Sequence, residues 1–350
     1  MKPLRMLLLS VVIGGSLAIL LHRHDVKMLA VMLPLLGILL LFSAIWRLME
    51  WKRMPTADEI RDRTLTWWWM VAIFFLAIAT HRIVSFLFLG FLCFASLREY
   101  FSLLPAEEND SSKIVPSKDR ASALLCYLSI PAVIYIAYIQ WYELFIIFVP
   151  VYLVLLLPIV FVLENRTRGA LKSLAVLSLG LLFFVHNLGH CLFMINFGAM
   201  LLMYCFTLTE VRDLASYWIG KSFAKIAGRM QEGRWRRLME AKIAADVSPK
   251  KTWSAGLCAA LLIAVLSLAF VPLMPDFPGR RLSYGYSAFV GFMIGFAGLF
   301  GDLVFSMIKR DIGVKDSGTT LPGHGGIIDR VDSLVFTTPI TFHLIYWHCF

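Results

Sequence analysis

The sequence predicts an all-α, polytopic integral membrane protein with about ten or eleven transmembrane helices and a cytoplasmic N-terminus. Three observations carry that prediction. Of the 350 residues, 59% are hydrophobic and only 16% are charged, too apolar a balance for an ordinary soluble fold. The apolar residues fall into runs of bilayer-spanning length, where a helix satisfies every backbone polar group internally. Basic residues gather in alternate connections between those runs.

Taken in order, spans are expected near residues 6–21, 28–46, 67–80, 83–104, 121–139, 142–163, 171–189, 193–218, 253–274, 283–307 and 333–349. The third is shorter than the roughly 20 residues a bilayer requires. In the first, Lys2 and Arg5 precede a short apolar run in the manner of a signal peptide. No small-x-small cleavage site follows before His22-Arg23-His24, so it reads as a signal anchor. Trp67-Trp68-Trp69 reads as an interfacial belt.

The loops set the orientation, because Lys and Arg accumulate on the cytoplasmic side. An inside N-terminus places Arg47, Lys52, Arg53, Arg61, Arg63, Arg98, Lys113, Lys118, Arg120, Arg166 and Arg168 on one side. The nine basic residues from Lys221 to Lys251 and the four from Lys309 to Arg330 join them. Arg23, Lys27, Arg82, Arg280 and Arg281 remain opposite. The expected location is a bacterial-type inner (cytoplasmic) membrane, with the C-terminal loops facing the cytoplasm, where nucleoside triphosphates are. The net charge of +10 sits in juxtamembrane loops, with no soluble domain to present a groove. Membrane lipids with anionic headgroups, and no nucleic acid, are the expected counterions. Cys93, Cys126, Cys191, Cys205, Cys258 and Cys349 lie in or at the ends of apolar spans without paired spacing, as packing residues do.

Two regions follow. Residues 1–120 form an N-terminal accessory region of four spans, ending in a polar linker at 105–120, with no convincing reactive group. Residues 121–350 form the catalytic region, with cytoplasmic loops at 219–252 and 308–332. The chemistry concentrates in 301–332, GDLVFSMIKRDIGVKDSGTTLPGHGGIIDRVD. On a helix from Gly301 to about Asp311, the 100° step puts Asp302, Ser306, Lys309 and Arg310 on one face. A carboxylate that can hold a divalent metal then looks the same way as two cations that can take phosphate oxygens. The glycines beyond let backbone N–H groups approach an anion. Taken without other information, the same stretch also reads as a charged loop capping a membrane helix.

Two further segments matter. In Glu210-Val-Arg212-Asp213-Leu-Ala-Ser-Tyr217, Asp213 and Tyr217 share a helix face with Glu210 one turn before, and ionisable groups at membrane depth usually face the bundle interior. The plainer reading is an Arg212–carboxylate pair closing a helix end. Ser248-Pro-Lys250-Lys251-Thr252-Trp253 puts two lysines and free N–H donors at a helix start, an arrangement suited to phosphate, although taken alone it reads first as a positive-inside anchor followed by an interfacial Trp. His186 and His190, four apart, make a weak metal pair with no carboxylate between them. His343 and His348 read as interfacial or packing residues. There is no Walker phosphate loop, no HExxH and no Gly-x-Ser-x-Gly elbow.

Ser306-Met-Ile-Lys309-Arg310, then Lys315-Asp316-Ser-Gly318, then Leu321-Pro-Gly-His324-Gly325-Gly326-Ile-Ile-Asp329-Arg330-Val-Asp332 resembles the signature of the phosphatidate cytidylyltransferases (CDP-diacylglycerol synthases). Asp213-x-x-x-Tyr217-x-x-Gly220 and Ser-Pro-Lys-Lys-Thr-Trp resemble the two earlier motifs of that family, in the family's order. Three features depart from the pattern: Ser216 in place of the usual Ala, Ser254 in place of the usual Glu or Gln, and a long basic loop at 221–247.

The resemblance implies condensation of CTP with phosphatidic acid to CDP-diacylglycerol and pyrophosphate. It implies Mg2+ as cofactor, on Asp213 and Asp302 with Asp316 as a further ligand. The catalytic group is expected to comprise Asp302, Lys309, Arg310, Lys315, Asp316, His324, Asp329, Arg330 and Asp332. Substrate contacts are expected at Tyr217, Ser248, Lys250, Lys251, Thr252, Ser306, Gly325 and Gly326. Another lipid phosphate as acceptor, a CTP-dependent lipid kinase, and a transporter or non-catalytic scaffold are the competing readings. A homodimer is left open.

Overall fold

The computed structural model describes residues 3–54, 56–104, 120–321 and 325–350. The expected linker, apart from Arg120, and His324 lie outside the described residues. Over the described residues the chain forms helices joined by turns and loops, with two isolated β-bridges, Lys242 with Thr252 and Leu321 with Gly325. Its helices are α1 (Pro3–His22), α2 (Val26–Trp51), α3 (Ala57–Ala79), α4 (Arg82–Leu103), α5 (Arg120–Tyr138), α6 (Tyr142–Ile147) and α7 (Val154–Leu163). They continue as α8 (Ala170–Gly180), α9 (His190–Asn196), α10 (Ala199–Ala227), α11 (Arg234–Glu240), α12 (Trp253–Ser267), α13 (Tyr284–Asp311), α14 (Ile328–Val331) and α15 (Leu334–Cys349).

Among the described residues, eight helical stretches are long and apolar enough to cross a membrane, short of the ten or eleven expected. The difference has physical causes. Helix α15 has only 16 residues, and α10 carries Glu210, Arg212 and Asp213. The short third span is resolved the other way. The polar stretch ADEIRDR continues the helix outward, so α3 reaches 23 residues, with Asp58 and Glu59 in its first turn.

Helix ends follow local chemistry. Asp25 accepts from the Met28 N–H at the start of α2, Ser283 caps α13 from Tyr286, and Thr252 caps α12 from Ala255. Pro150 cannot donate, and a π-helical turn at Phe148–Leu153 joins α6 to α7 in one span, Tyr142–Leu163. A second π turn, Leu181–Asn187, joins α8 to α9, so Ala170–Asn196 is continuous where the sequence suggested a break after 189. The chain reverses instead at Gly198, whose φ of 121° is open to glycine.

Small residues bring α12 and α13 together. A Cβ added at Gly291 would lie 2.6 Å from the Ser267 Cβ, and one at Gly295 would strike the Ala260 backbone. At the end remote from the acidic loop, Arg82 donates to the Tyr138 carbonyl at 2.8 Å and to Asn196 Oδ1 at 2.7 Å, tying α4, α5 and α9. Phe183, Phe184, Phe305 and Phe336 pack with ring centroids 5.4–5.9 Å apart under the C-terminal half of α13. All six cysteines are free, five of them buried.

Candidate functional site

The C-terminal half of α13 supplies the centre. Asp302 follows Gly301, where a Cβ would lie 2.7 Å from the Asp332 carbonyl oxygen. Glycine there lets the segment before α15 press against α13. Ser306, one turn on, donates to Asp302 Oδ1 at 3.4 Å, and Lys251 from the segment before α12 forms an ion pair with Asp302 Oδ2. On α10, Asp213 pairs with Arg212 at 2.5 Å and accepts from the Ser333 hydroxyl at 3.3 Å. Arg212 is fully buried and lies against Gly298, so the Arg212–carboxylate pair is present but faces the bundle interior.

The glycine-rich loop folds around Asp329. Its Oδ1 pairs with Lys309 at 2.7 Å, and its Oδ2 accepts the N–H groups of Ser317 at 2.9 Å and Gly326 at 3.0 Å. Gly325 has a φ of 79°, and a Cβ there would run into the Asp329 carboxylate. Burial works to raise the Asp329 carboxyl. The hydrogen bond and charge of Lys309, with the two N–H donors, outweigh it and hold the group below the usual carboxylate range. Because the folded value is the lower one, the stability that Asp329 lends the loop is complete above about pH 4 and is lost as pH falls through the folded value. Acid titration below about pH 4 is therefore expected to open the loop to pepsin, a protease active at that pH. Asp329→Ala is expected to open it at neutral pH.

Glu210, Asp213, Asp302, Lys309, Asp316, Asp329, Arg330 and Asp332 line one cavity of about 260 Å3. Six carboxylates therefore share a space with two cations. Burial first, and then the charges of Asp302 and Asp213, push the Asp332 carboxyl well above its ordinary range.

Several expected site residues stand elsewhere. Arg310 departs from the face of Asp302 and Lys309: it is exposed, and its guanidinium donates to the Val314 carbonyl at 3.2 Å. Lys315 and Lys250 are exposed and Ser248 is half-buried, none of them lining the cavity, and Thr252 is the buried cap of α12. Tyr217 is 61% exposed, edge-on to Trp218. Far from this cavity in sequence, His190 Nε2 faces His343 Nε2 at 3.2 Å, and its Nδ1 lies 2.9 Å from the His186 carbonyl.

One residue of the site escaped sequence reasoning. Glu99, in the last turn of α4, is buried and accepts from Ser317 Oγ at 2.6 Å, Ile327 N at 2.8 Å and Ile328 N at 2.9 Å. A lone acidic residue near the end of an apolar helix gives no spacing signal for partners more than 200 positions away. The available hint is its occurrence on the buried side of α4, beside Leu97 and Tyr100.

Comparison with known proteins bears on the whole arrangement. A model described as "Cytidylyltransferase family" matches residues 61–348. "Uncharacterized protein YnbB" of Escherichia coli (strain K12) is 32% identical over 325 residues, 90% of this chain and 97% of that protein. "Phosphatidate cytidylyltransferase" of Synechocystis sp. (strain ATCC 27184 / PCC 6803 / Kazusa) is 38% identical over 143 residues, 39% of this chain and 43% of the relative. The Bacillus subtilis (strain 168) protein of the same name is 31% identical over 150 residues, 43% of this chain and 49% of the relative. This chain thus spans less than half the length of those two. The family match, by contrast, runs from within α3 to the end of α15 and takes in α4, the acidic positions of α10 and α13 and the loop they face. On that extent, the chain belongs to the cytidylyltransferase family.

Proposed function

We propose that this integral membrane protein transfers the cytidylyl group of CTP to phosphatidic acid, releasing pyrophosphate and leaving CDP-diacylglycerol in the membrane for phospholipid synthesis. The observation that carries the proposal is the single cavity in which the carboxylates of α10 and α13 meet Lys309 and Arg330. Two anionic substrates must meet there. An oxygen of the lipid phosphate attacks the α-phosphorus of CTP as the bond to the β-phosphate breaks, and pyrophosphate departs in line. Positioning and charge neutralisation do most of the work in such a transfer. The lipid phosphate is already ionised at neutral pH, so no general base is needed.

The donor set fits Mg2+. Asp213, Asp302 and Asp316 offer hard oxygen ligands, and the charges of Asp213, Asp302 and Asp332 act on one another across the cavity. Among the described residues, no three such groups already form a closed metal site, and Lys251 and Arg212 hold the two inner carboxylates. Lys251 holds only Oδ2 of Asp302, so Oδ1 would be open to the metal, and the Lys251 ammonium stands where it would serve phosphate. When bound, Mg2+ would neutralise charge on phosphate oxygens. Lys309 and Arg330 balance the remainder from the cavity wall. In this reading the site faces the cytoplasm, the side the basic loops choose, in a bacterial-type inner membrane.

A second acceptor stays in play for a specific reason. The Escherichia coli relative, matched over 97% of its length, is named for no activity, and the two phosphatidate enzymes compared above match over less than half of theirs. Another lipid phosphate would use the same phosphate chemistry. Purified protein should be offered equal amounts of phosphatidic acid, an ether-linked analogue and an isoprenoid phosphate with labelled CTP. The proposal expects the label mainly in the product from phosphatidic acid. Labelling of either competitor with phosphatidic acid untouched would replace the acceptor.

A further inference from the structure

Glu99 does not line the cavity, yet the residue is buried, 8% exposed, and its carboxylate is engaged on both oxygens. Oε1 accepts from Ser317 Oγ at 2.6 Å and from Ile328 N at 2.9 Å. Oε2 accepts from Ile327 N at 2.8 Å and from Thr320 Oγ1 at 3.4 Å. A carboxylate accepting from backbone N–H groups makes stronger bonds than a neutral acceptor would. The loop is shaped to reach it. A Cβ on Gly326 would collide with the Glu99 carboxylate and the Ser317 hydroxyl, and one on Gly318 would lie 3.5 Å from Oε2.

The partners of Glu99 lie beside the residues that do the chemistry. Ser317 follows Asp316, and Ile327 and Ile328 immediately precede Asp329 and Arg330, all three of which line the cavity. Asp329 draws the same loop together from the inside, through Ser317 N and Gly326 N. The loop is thus held between two carboxylates, one its own and one on α4. α4 is itself fixed at that level. Tyr100, the next residue, donates to the Val176 carbonyl at 3.2 Å and packs on Phe184 at 5.5 Å, which in turn packs on Phe305 of α13.

We propose that Glu99 is a positioning residue: it latches Ser317, Thr320, Ile327 and Ile328 to α4 and so sets Asp316, Asp329 and Arg330 at the nucleotide. The proposal rests on the cytidylyltransfer reading for what the loop binds, but the latch itself does not. Because the loop is assigned to the nucleotide, loss of the latch should raise the KM for CTP more than that for the lipid. A loop residue displaced by about 1 Å costs up to ~10²-fold in rate.

The test uses the full chain in detergent, with Glu99→Gln, Glu99→Ala and, as a milder lesion, Ser317→Ala. Two quantities are read. One is the rate of maleimide labelling at Ile328→Cys, a buried position that meets Glu99 through its backbone N–H, corrected for the parent's own cysteines. The other is KM for CTP and for phosphatidic acid separately, with kcat.

The expected result is faster labelling in Glu99→Ala, a KM for CTP raised about 10-fold or more, an unchanged lipid KM, and a smaller shift in the same direction for Ser317→Ala. Unchanged labelling in both Glu99 variants, or equal changes in the two KM values, would overturn the proposal. If the parent protein does not use CTP at all, the function reading has failed, and the labelling rates alone decide whether the latch exists.

Discussion

Asp302→Asn is expected to lower cytidylyl transfer by ~10²–10³-fold while leaving thermal stability in detergent at or above that of the parent. The two halves of this expectation come from the same geometry. Asp302 stands in the cavity with Asp213 and Asp332, and each of these carboxylates feels the charges of the others. Neutralising one relieves repulsion, at the cost of the Lys251 partner. A structural carboxylate with no like charges beside it would behave otherwise: its removal strands a cation with no repulsion relieved, and destabilises the fold. Lost activity with retained stability marks a site whose charge serves the reaction. Near-normal turnover of Asp302→Asn at saturating Mg2+ would remove Asp302 from the metal site.

Lys309→Met should be the most damaging single change to the loop. Lys309 and Asp329 are both nearly buried, with side chains 12% and 9% exposed and a 2.7 Å contact. Removing one partner of such a pair leaves an uncompensated charge, costing about 3–5 kcal/mol. In Lys309→Met/Asp329→Asn both charges are gone, so part of that stability should return even though the loop keeps fewer bonds. Activity should not return with it, because Lys309 also lines the cavity. Thermal unfolding of the two single variants and the double variant measures the coupling. Additive losses would show that the pair does not hold the loop.

Much of the site was legible because its residues are unusual for a membrane chain. Carboxylates at Asp213 and Asp302 inside apolar helices, and a run of glycines among charges, have few structural uses. Arg310 was misplaced for a geometric reason. One further 100° step past Lys309 carries it off the inward face, and at the last turn of α13 it finds the Val314 carbonyl instead. The break before α10 was misread because a π turn keeps Leu181–Asn187 helical, which apolar patterning cannot distinguish from a loop entry. Glu99 was illegible for a deeper reason. Its meaning lies entirely in a tertiary contact 218–229 positions downstream, and within its own helix it has the appearance of a charge near a membrane surface.

The central claim is tested most directly by incubating the purified protein with phosphatidic acid, Mg2+ and CTP labelled at the α-phosphate, with a parallel reaction labelled at the γ-phosphate. The account predicts α-label in the lipid phase, none of the γ-label there, and loss of the signal in Asp302→Asn and in EDTA. γ-Label in the lipid would make the protein a CTP-dependent lipid kinase. Neither label in any lipid phosphate, from a folded preparation, would contradict the account and favour a non-catalytic scaffold or transporter.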